Sequence, residues 1–188
     1  MRIIFIVFMY FSASLAHGFE LNGMHDLVLS NGQGERVVVG KVSFTPLPDG
    51  RAEFLVTMSE SLEEYFLAMR PFRCLTGPRQ RLCHFPVARE PAIVSRDDLV
   101  PLEYALMFMR TAPGSLHVDA FNGIFYRLQV TGNSISGRLY ELDMDPFITP
   151  DSIPMERRKR PVREQDLSLG DATGHWLPFL SIEATNAK

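Results

Sequence analysis

The sequence predicts a mostly β domain: antiparallel hairpins forming a small barrel or sandwich, with one or two short helices. Three observations predict it. Two pairs of apolar, β-branched runs are each joined by a turn signal, which marks hairpins. Similar short runs recur along the chain and bring the count to about seven or eight strands. Hydrophobic residues make up 46% of the 188 residues, enough for one globular core.

Residues 37–44 are rich in β-branched side chains and read as a strand. Thr45-Pro46-Leu47-Pro48-Asp49-Gly50 reverses the chain, Asp-Gly being a strong turn signal. Residues 52–58 alternate, with Phe54, Val56 and Met58 on one face, and complete the first hairpin. Ser61-Leu62-Glu63-Glu64 has the form of a capping box, with Ser61 as N-cap and Glu64 reaching back. A short helix is expected over 62–69, ended by Pro71. Ser95-Arg96-Asp97-Asp98 predicts a short helical turn. Residues 102–110 admit two readings. Either Pro101 opens a helix with Glu103 in its first turn, or the apolar run is a buried strand; the preceding helical turn favours the strand.

Residues 124–130 and 135–143 form the clearer hairpin, about Thr131-Gly132-Asn133-Ser134. Ile124, Tyr126, Leu128 and Val130 share one face, and Phe125, Arg127 and Gln129 the other. Residues 144–161 contain Pro146, Pro150, Pro154 and Pro161 and read as a long loop. Residues 175–183 form a last strand, which Pro178 places at an edge or a bulge.

Cys74 and Cys83 are the only cysteines, and their spacing proposes a register. Folding about Gly77-Pro78-Arg79-Gln80 sets Leu75 opposite Leu82 and Cys74 opposite Cys83. Phe72 then faces Phe85 on the side of the two sulfurs, while Arg73 and His84 point the other way. A structural disulfide is expected; no C-x-x-C spacing supports a redox pair.

The first residues read as a leader. Arg2 precedes an apolar run over 3–11, and Ser14 and Ala16 fit a small-x-small cleavage site. Cleavage is expected after Ala16, or after Gly18, ahead of a single β-rich domain over 19–188. That run is shorter than the ~20 residues a membrane helix needs, and no second long apolar segment follows. The net charge of −3 gives no reason to expect a nucleic-acid partner. None of the five asparagines begins an N-x-Ser/Thr acceptor, which fits a bacterial envelope slightly better than a eukaryotic secretory route.

Chemistry-bearing motifs are sparse. G-x-S-x-G, the P-loop, G-x-G-x-x-G and H-E-x-x-H are all absent. His117-Val118-Asp119, joined by His84 or His175, has the residue types for a zinc site or a general base, and equally for unrelated surface positions. Glu141, Asp143 and Asp145 fall at period two, as cation ligands would or as charges protecting a strand end. Arg157-Arg158-Lys159-Arg160 is the sharpest charge run, a basic interaction loop or a solvated one. Arg70, Arg73, His84, Arg127 and Trp176 are the candidate contacts for a ligand or partner, with Trp176 and the Phe121-to-Tyr126 aromatics able to line a cavity or fill the core. No cofactor and no metal is expected.

At Tyr65-Phe66-Leu67-Ala68-Met69-Arg70-Pro71-Phe72-Arg73-Cys74-Leu75 and Phe121-Asn122-Gly123-Ile124-Phe125-Tyr126-Arg127-Leu128 the chain resembles a group of exported bacterial proteins of unknown function. The resemblance implies a periplasmic or secreted setting and carries no activity or site residues. The expected role is non-catalytic: an exported protein that binds a small molecule or an envelope partner. One alternative is a hydrolase-like or metal-dependent enzyme using His84, His117 or His175 with nearby carboxylates. Another is a structural or assembly factor of the envelope, which would present a flat apolar patch.

Overall fold

A computed structural model describes residues 18–67, 70–87, 91–115, 123–143, 161–169 and 174–185. The proposed leader, His117, Asp119, Asp145 and the Arg157-to-Arg160 run lie outside the described residues, as does the side chain of Arg70.

The strands are β1 (Gly23–Ser30), β2 (Arg36–Pro46), β3 (Ala52–Met58), β4 (Glu63–Leu67), β5 (Arg70–Thr76) and β6 (Arg81–His84). Then come β7 (Ile93–Val94), the helix α1 (Val100–Ala105), β8 (Phe108–Thr111), β9 (Gly123–Thr131) and β10 (Ser134–Leu142). A 3-10 turn (Glu164–Asp166), β11 (Leu167–Leu169) and β12 (Phe179–Ala184) finish the order. Among the described residues, twelve strands form one sheet, ordered β4-β5-β6-β8-β9-β10-β12-β1-β2-β3-β7, with β11 also on β10. Every pairing is antiparallel.

The predicted β class therefore holds, but the barrel is not closed. The end strands β4 and β7 are far apart in the pairing order and do not pair with each other. The two sides of the opening are nonetheless held near each other at one end, because residues 59–62 alone carry the chain from the end of β3 to β4 and span at most about 18 Å. Phe44 of β2, Leu82 of β6, Ile124 of β9 and Ile182 of β12 share one core, so the sheet curls around it. Among the described residues there are twelve strands, where seven or eight are expected. Met24, His25 and Asp26 blur the alternation of β1 and hide it from a pattern reading, and β7 and β11 are too short to read.

The outer face of the β5-β6-β8-β9 region is covered as well. Phe72, Cys74, Cys83, Tyr104, Met109 and Phe125 belong to a second core. Neighbouring residues thus point into different cores: Leu82 and Cys83, Phe108 and Met109, Ile124 and Phe125. Strands buried on both faces read as continuous apolar runs, which carry no period to distinguish them from a buried helix.

That ambiguity explains one correction. Residues 102–110 are not one strand: α1 runs to Ala105, with Pro101 in its first turn, and β8 starts at Phe108. The helix satisfies both cores, sending Leu102 into the first and Tyr104 into the second, while Leu106 at its C-terminal cap joins the first. The expected helical turn at 95–98 is a bend, in which Ser95 Oγ accepts the Asp98 N–H at 3.0 Å.

The helix expected over 62–69 is also corrected, to strand β4. Ser61 does not cap; its hydroxyl pairs with Ser59 Oγ at 2.8 Å. Glu63 turns to β5, accepting hydrogen bonds from the Tyr65 hydroxyl and from Thr76 Oγ1. An isolated helix of that length is marginal in water, whereas β5 extends beyond β6 and offers an unpaired strand edge. Pro71 is tolerated in β5 because β6 reaches only Cys74 on that side.

The last predicted strand shortens. It begins at Phe179, just after Pro178, and lies between β10 and β1 rather than at an edge. Pro178 lacks an N–H to donate but uses its carbonyl, which accepts the Leu139 N–H at 3.0 Å.

The cysteine hairpin matches its predicted register: Cys74 faces Cys83 and Leu75 faces Leu82. The Cys74–Cys83 disulfide is formed, and Phe72 and Phe85 stack beside it at 5.9 Å between ring centroids.

Candidate functional site

Three loops converge on Trp176, the single tryptophan. The first is the β1–β2 turn. Asn31 Oδ1 accepts the backbone N–H groups of Gln33 and Glu35, each at 3.0 Å, which folds the turn back on itself. Gly34 sits at φ +91°, a conformation that favours glycine. Glu35 is thereby placed with Oε2 accepting from Asn31 Nδ2 at 2.9 Å and from Trp176 Nε1 at 2.8 Å.

The second loop is the turn of the disulfide hairpin, where the Gly77 N–H donates to the Gln80 carbonyl at 2.8 Å. The Gln80 amide reaches the third loop, the segment leading into β12. It donates to the Gly174 carbonyl at 2.7 Å and accepts the Trp176 N–H at 3.0 Å. A Cβ at Gly77 would collide with the six-membered ring of Trp176, so only glycine lets the indole lie against this turn.

Between the loops is an open cleft of about 480 Å³, lined among others by Gln33, Glu35, Arg79, His175, Trp176 and Phe179. Its size falls within the ~300–1,000 Å³ of small-molecule sites. Several of its polar groups are uncommitted among the described residues: Glu35 Oε1, the Gln33 amide and the Arg79 guanidinium have no protein partner there.

His175 borders the cleft from below, its side chain only 2% exposed. Its Nε2–H donates to Glu141 Oε1 at 2.8 Å, and Arg110 Nη2 lies 3.7 Å from the same oxygen. With Nε2 so engaged, Nδ1 is left enclosed without a hydrogen-bond partner among the described residues. This is the one place among them where a predicted histidine and a predicted carboxylate meet.

The other candidates are dispersed. Arg73 pairs with Glu64 at 2.9 Å on the β4–β5 hairpin. His84 Nε2 donates to the Ala105 carbonyl at 2.8 Å beside Phe108, and burial pushes its pKa down. Arg127 bridges Glu103, at 3.2 Å, and Glu164. Glu103 is itself buried, and burial raises its pKa despite the Leu128 N–H it accepts at 2.8 Å. None of Arg73, His84 and Arg127 lines the cleft. No cluster of three or more His, Cys, Asp or Glu suited to a metal occurs among the described residues. On the outer face of β1–β3, Met24, Val38 and Leu55 are exposed, and Met24 and Val38 line a shallow depression with Lys41, Ser43 and Thr57.

Sequence reasoning found Trp176 and His175 but not Asn31, Gln33, Glu35, Arg79 or Gln80. The available signal was Asn31-Gly32-Gln33-Gly34-Glu35, a glycine-rich turn whose significance depends on an unrecognised β1. Among the described residues, no helix is long and apolar enough to cross a membrane. Compared with family models, curated proteins and solved structures, the chain matches none of them.

Proposed function

We propose that this is an exported, non-catalytic ligand-binding protein whose site is the Trp176 cleft. One observation carries the reading: Trp176 is fixed from three loops, by Glu35, Gln80 and Gly77, while polar groups around it stay unpaired among the described residues. Trp176 packs in part against the first core, and an indole held in place beside exposed hydrogen-bonding groups presents a prepared surface for a ligand. The disulfide supports an oxidising, exported setting, periplasmic or secreted.

The enzyme reading rests on His175 and Glu141, which form the oriented imidazole that acid–base chemistry requires. The enclosure of Nδ1 favours the binding reading, because a substrate proton has no open path to that nitrogen.

The test is native mass spectrometry of the protein purified from its exported compartment. A reproducible extra mass that leaves on unfolding, and that Trp176→Ala and Trp176→Phe both reduce, is the expected result. A ligand mass retained in both folded variants would overturn the cleft as the site.

A further inference from the structure

We infer that the ligand of the Trp176 cleft is a saccharide, seated with the C–H face of one pyranose ring against the aromatic surface and its hydroxyls on the polar rim. The inference rests on the cleft being the binding site and adds the ligand's chemistry.

The free groups decide the class. Glu35 directs Oε2 to Asn31 and Trp176, so Oε1 remains an open acceptor. Gln33 uses its backbone N–H in the turn, and its side-chain amide, both donor and acceptor, is left over. Arg79, at the tip of the disulfide hairpin, is exposed and brings donors only. A set containing a pure acceptor, a pure donor and a group that is both matches vicinal hydroxyls, each of which donates and accepts.

The apolar part of the cleft agrees. Trp176 and the 38% exposed Phe179 supply aromatic surface, with Pro78 and Pro178 beside them. A sugar ring has one face of C–H groups for such a surface and a rim of hydroxyls for the polar groups. A proline-rich peptide instead needs a groove lined by successive aromatics and few hydrogen bonds. Here one tryptophan is surrounded by amide, carboxylate and guanidinium groups. A purely anionic ligand is disfavoured by Glu35, which faces the same space as Arg79.

The test titrates the full mature protein with chitotriose, maltotriose and trigalacturonate, read by the emission of Trp176. The expected result is a saturable spectral change with at least one of them. Gln33→Ala and Arg79→Gln should each weaken that binding about tenfold or more, since each removes a hydrogen bond to ligand. Neither side chain has a protein partner through these groups among the described residues, so unchanged melting temperatures should accompany the loss. Saturable binding that neither variant weakens would overturn the assignment. So would the absence of any response up to about 10 mM, a concentration that detects even millimolar affinity. In that second case the co-purifying mass discriminates: its loss in Trp176→Phe keeps the cleft as a site for another ligand, and its absence from the wild type removes both readings.

Discussion

Burial withdraws His84 from water and makes it a source of acid sensitivity. Its pKa lies below the ordinary 6.5, because burial penalises the charged ring and only the Ala105 carbonyl receives its Nε2–H. The unfolded chain therefore takes up a proton more readily than the folded one. The stability this group contributes is complete above about pH 6.5 and is lost as the pH falls through that value towards the lower folded one. Glu103 works in the opposite sense. Its folded pKa is raised above 4.5, so the folded state binds that proton more tightly and stability declines as the pH rises through this range. Thermal melts between pH 8 and pH 5 should show a falling midpoint below about pH 6.5 in the wild type, and a flatter profile in His84→Gln. An unchanged slope in a folded His84→Gln would assign the acid sensitivity elsewhere. At Glu103 the larger role is to accept the half-buried Leu128 N–H and to face Arg127. Glu103→Leu leaves that N–H without its acceptor and Arg127 with Glu164 alone, and should cost about 1–3 kcal/mol in urea unfolding, with Glu103→Gln costing less.

The disulfide hairpin of β5 and β6 is the element in which local chemistry and final structure agree most closely. Gly77-Pro78 fixes the turn, the cysteines fix the register, and alternation then assigns Phe72 and Phe85 to the sulfur face. No long-range information is needed. Breaking the link with Cys74→Ala and Cys83→Ala should lower stability by about 2.5–3 kcal/mol, the chain-entropy value for a loop this short. Urea unfolding of the double variant measures it, and a loss well under 1 kcal/mol would show that turn and cores already restrict the unfolded chain. The neighbouring β4 shows the opposite case. Its capping-box sequence is real as a local preference, yet Glu63, Tyr65 and Thr76 satisfy one another across strands, and a partner strand outweighs a first helical turn. The cleft was half legible for the same reason. Trp176 is conspicuous as a residue, but Glu35 and Gln80 acquire meaning only when three loops distant in sequence are brought together. Gly77→Ala probes that convergence: it should displace the indole and shift Trp176 emission while the far-UV spectrum stays that of the wild type.

At the scale of the molecule, the unusual property is one open sheet with a core on each side of its β6-β8-β9 region. The first core draws on both halves of the sheet, and the second leans on the disulfide hairpin, α1 and the segment near Val162. Two cores on one chain invite two unfolding steps. The sharing of strands argues against it. Leu82 and Cys83, like Phe108 and Met109, are consecutive residues committed to different cores, so neither core can loosen without moving the backbone of the other. The open seam does not separate them either, because residues 59–62 tie β3 to β4 and Leu62 is buried in the first core. Unfolding should therefore be a single cooperative transition. Trp176 makes the check direct: it joins loops from β1–β2, β5–β6 and the lead into β12, and it is the only tryptophan. Its emission and the far-UV signal should give the same urea midpoint and the same slope. An emission change that precedes the loss of strand signal would show the three loops opening on an intact sheet, and would place the cleft among the elements of low local stability rather than in the cooperative unit.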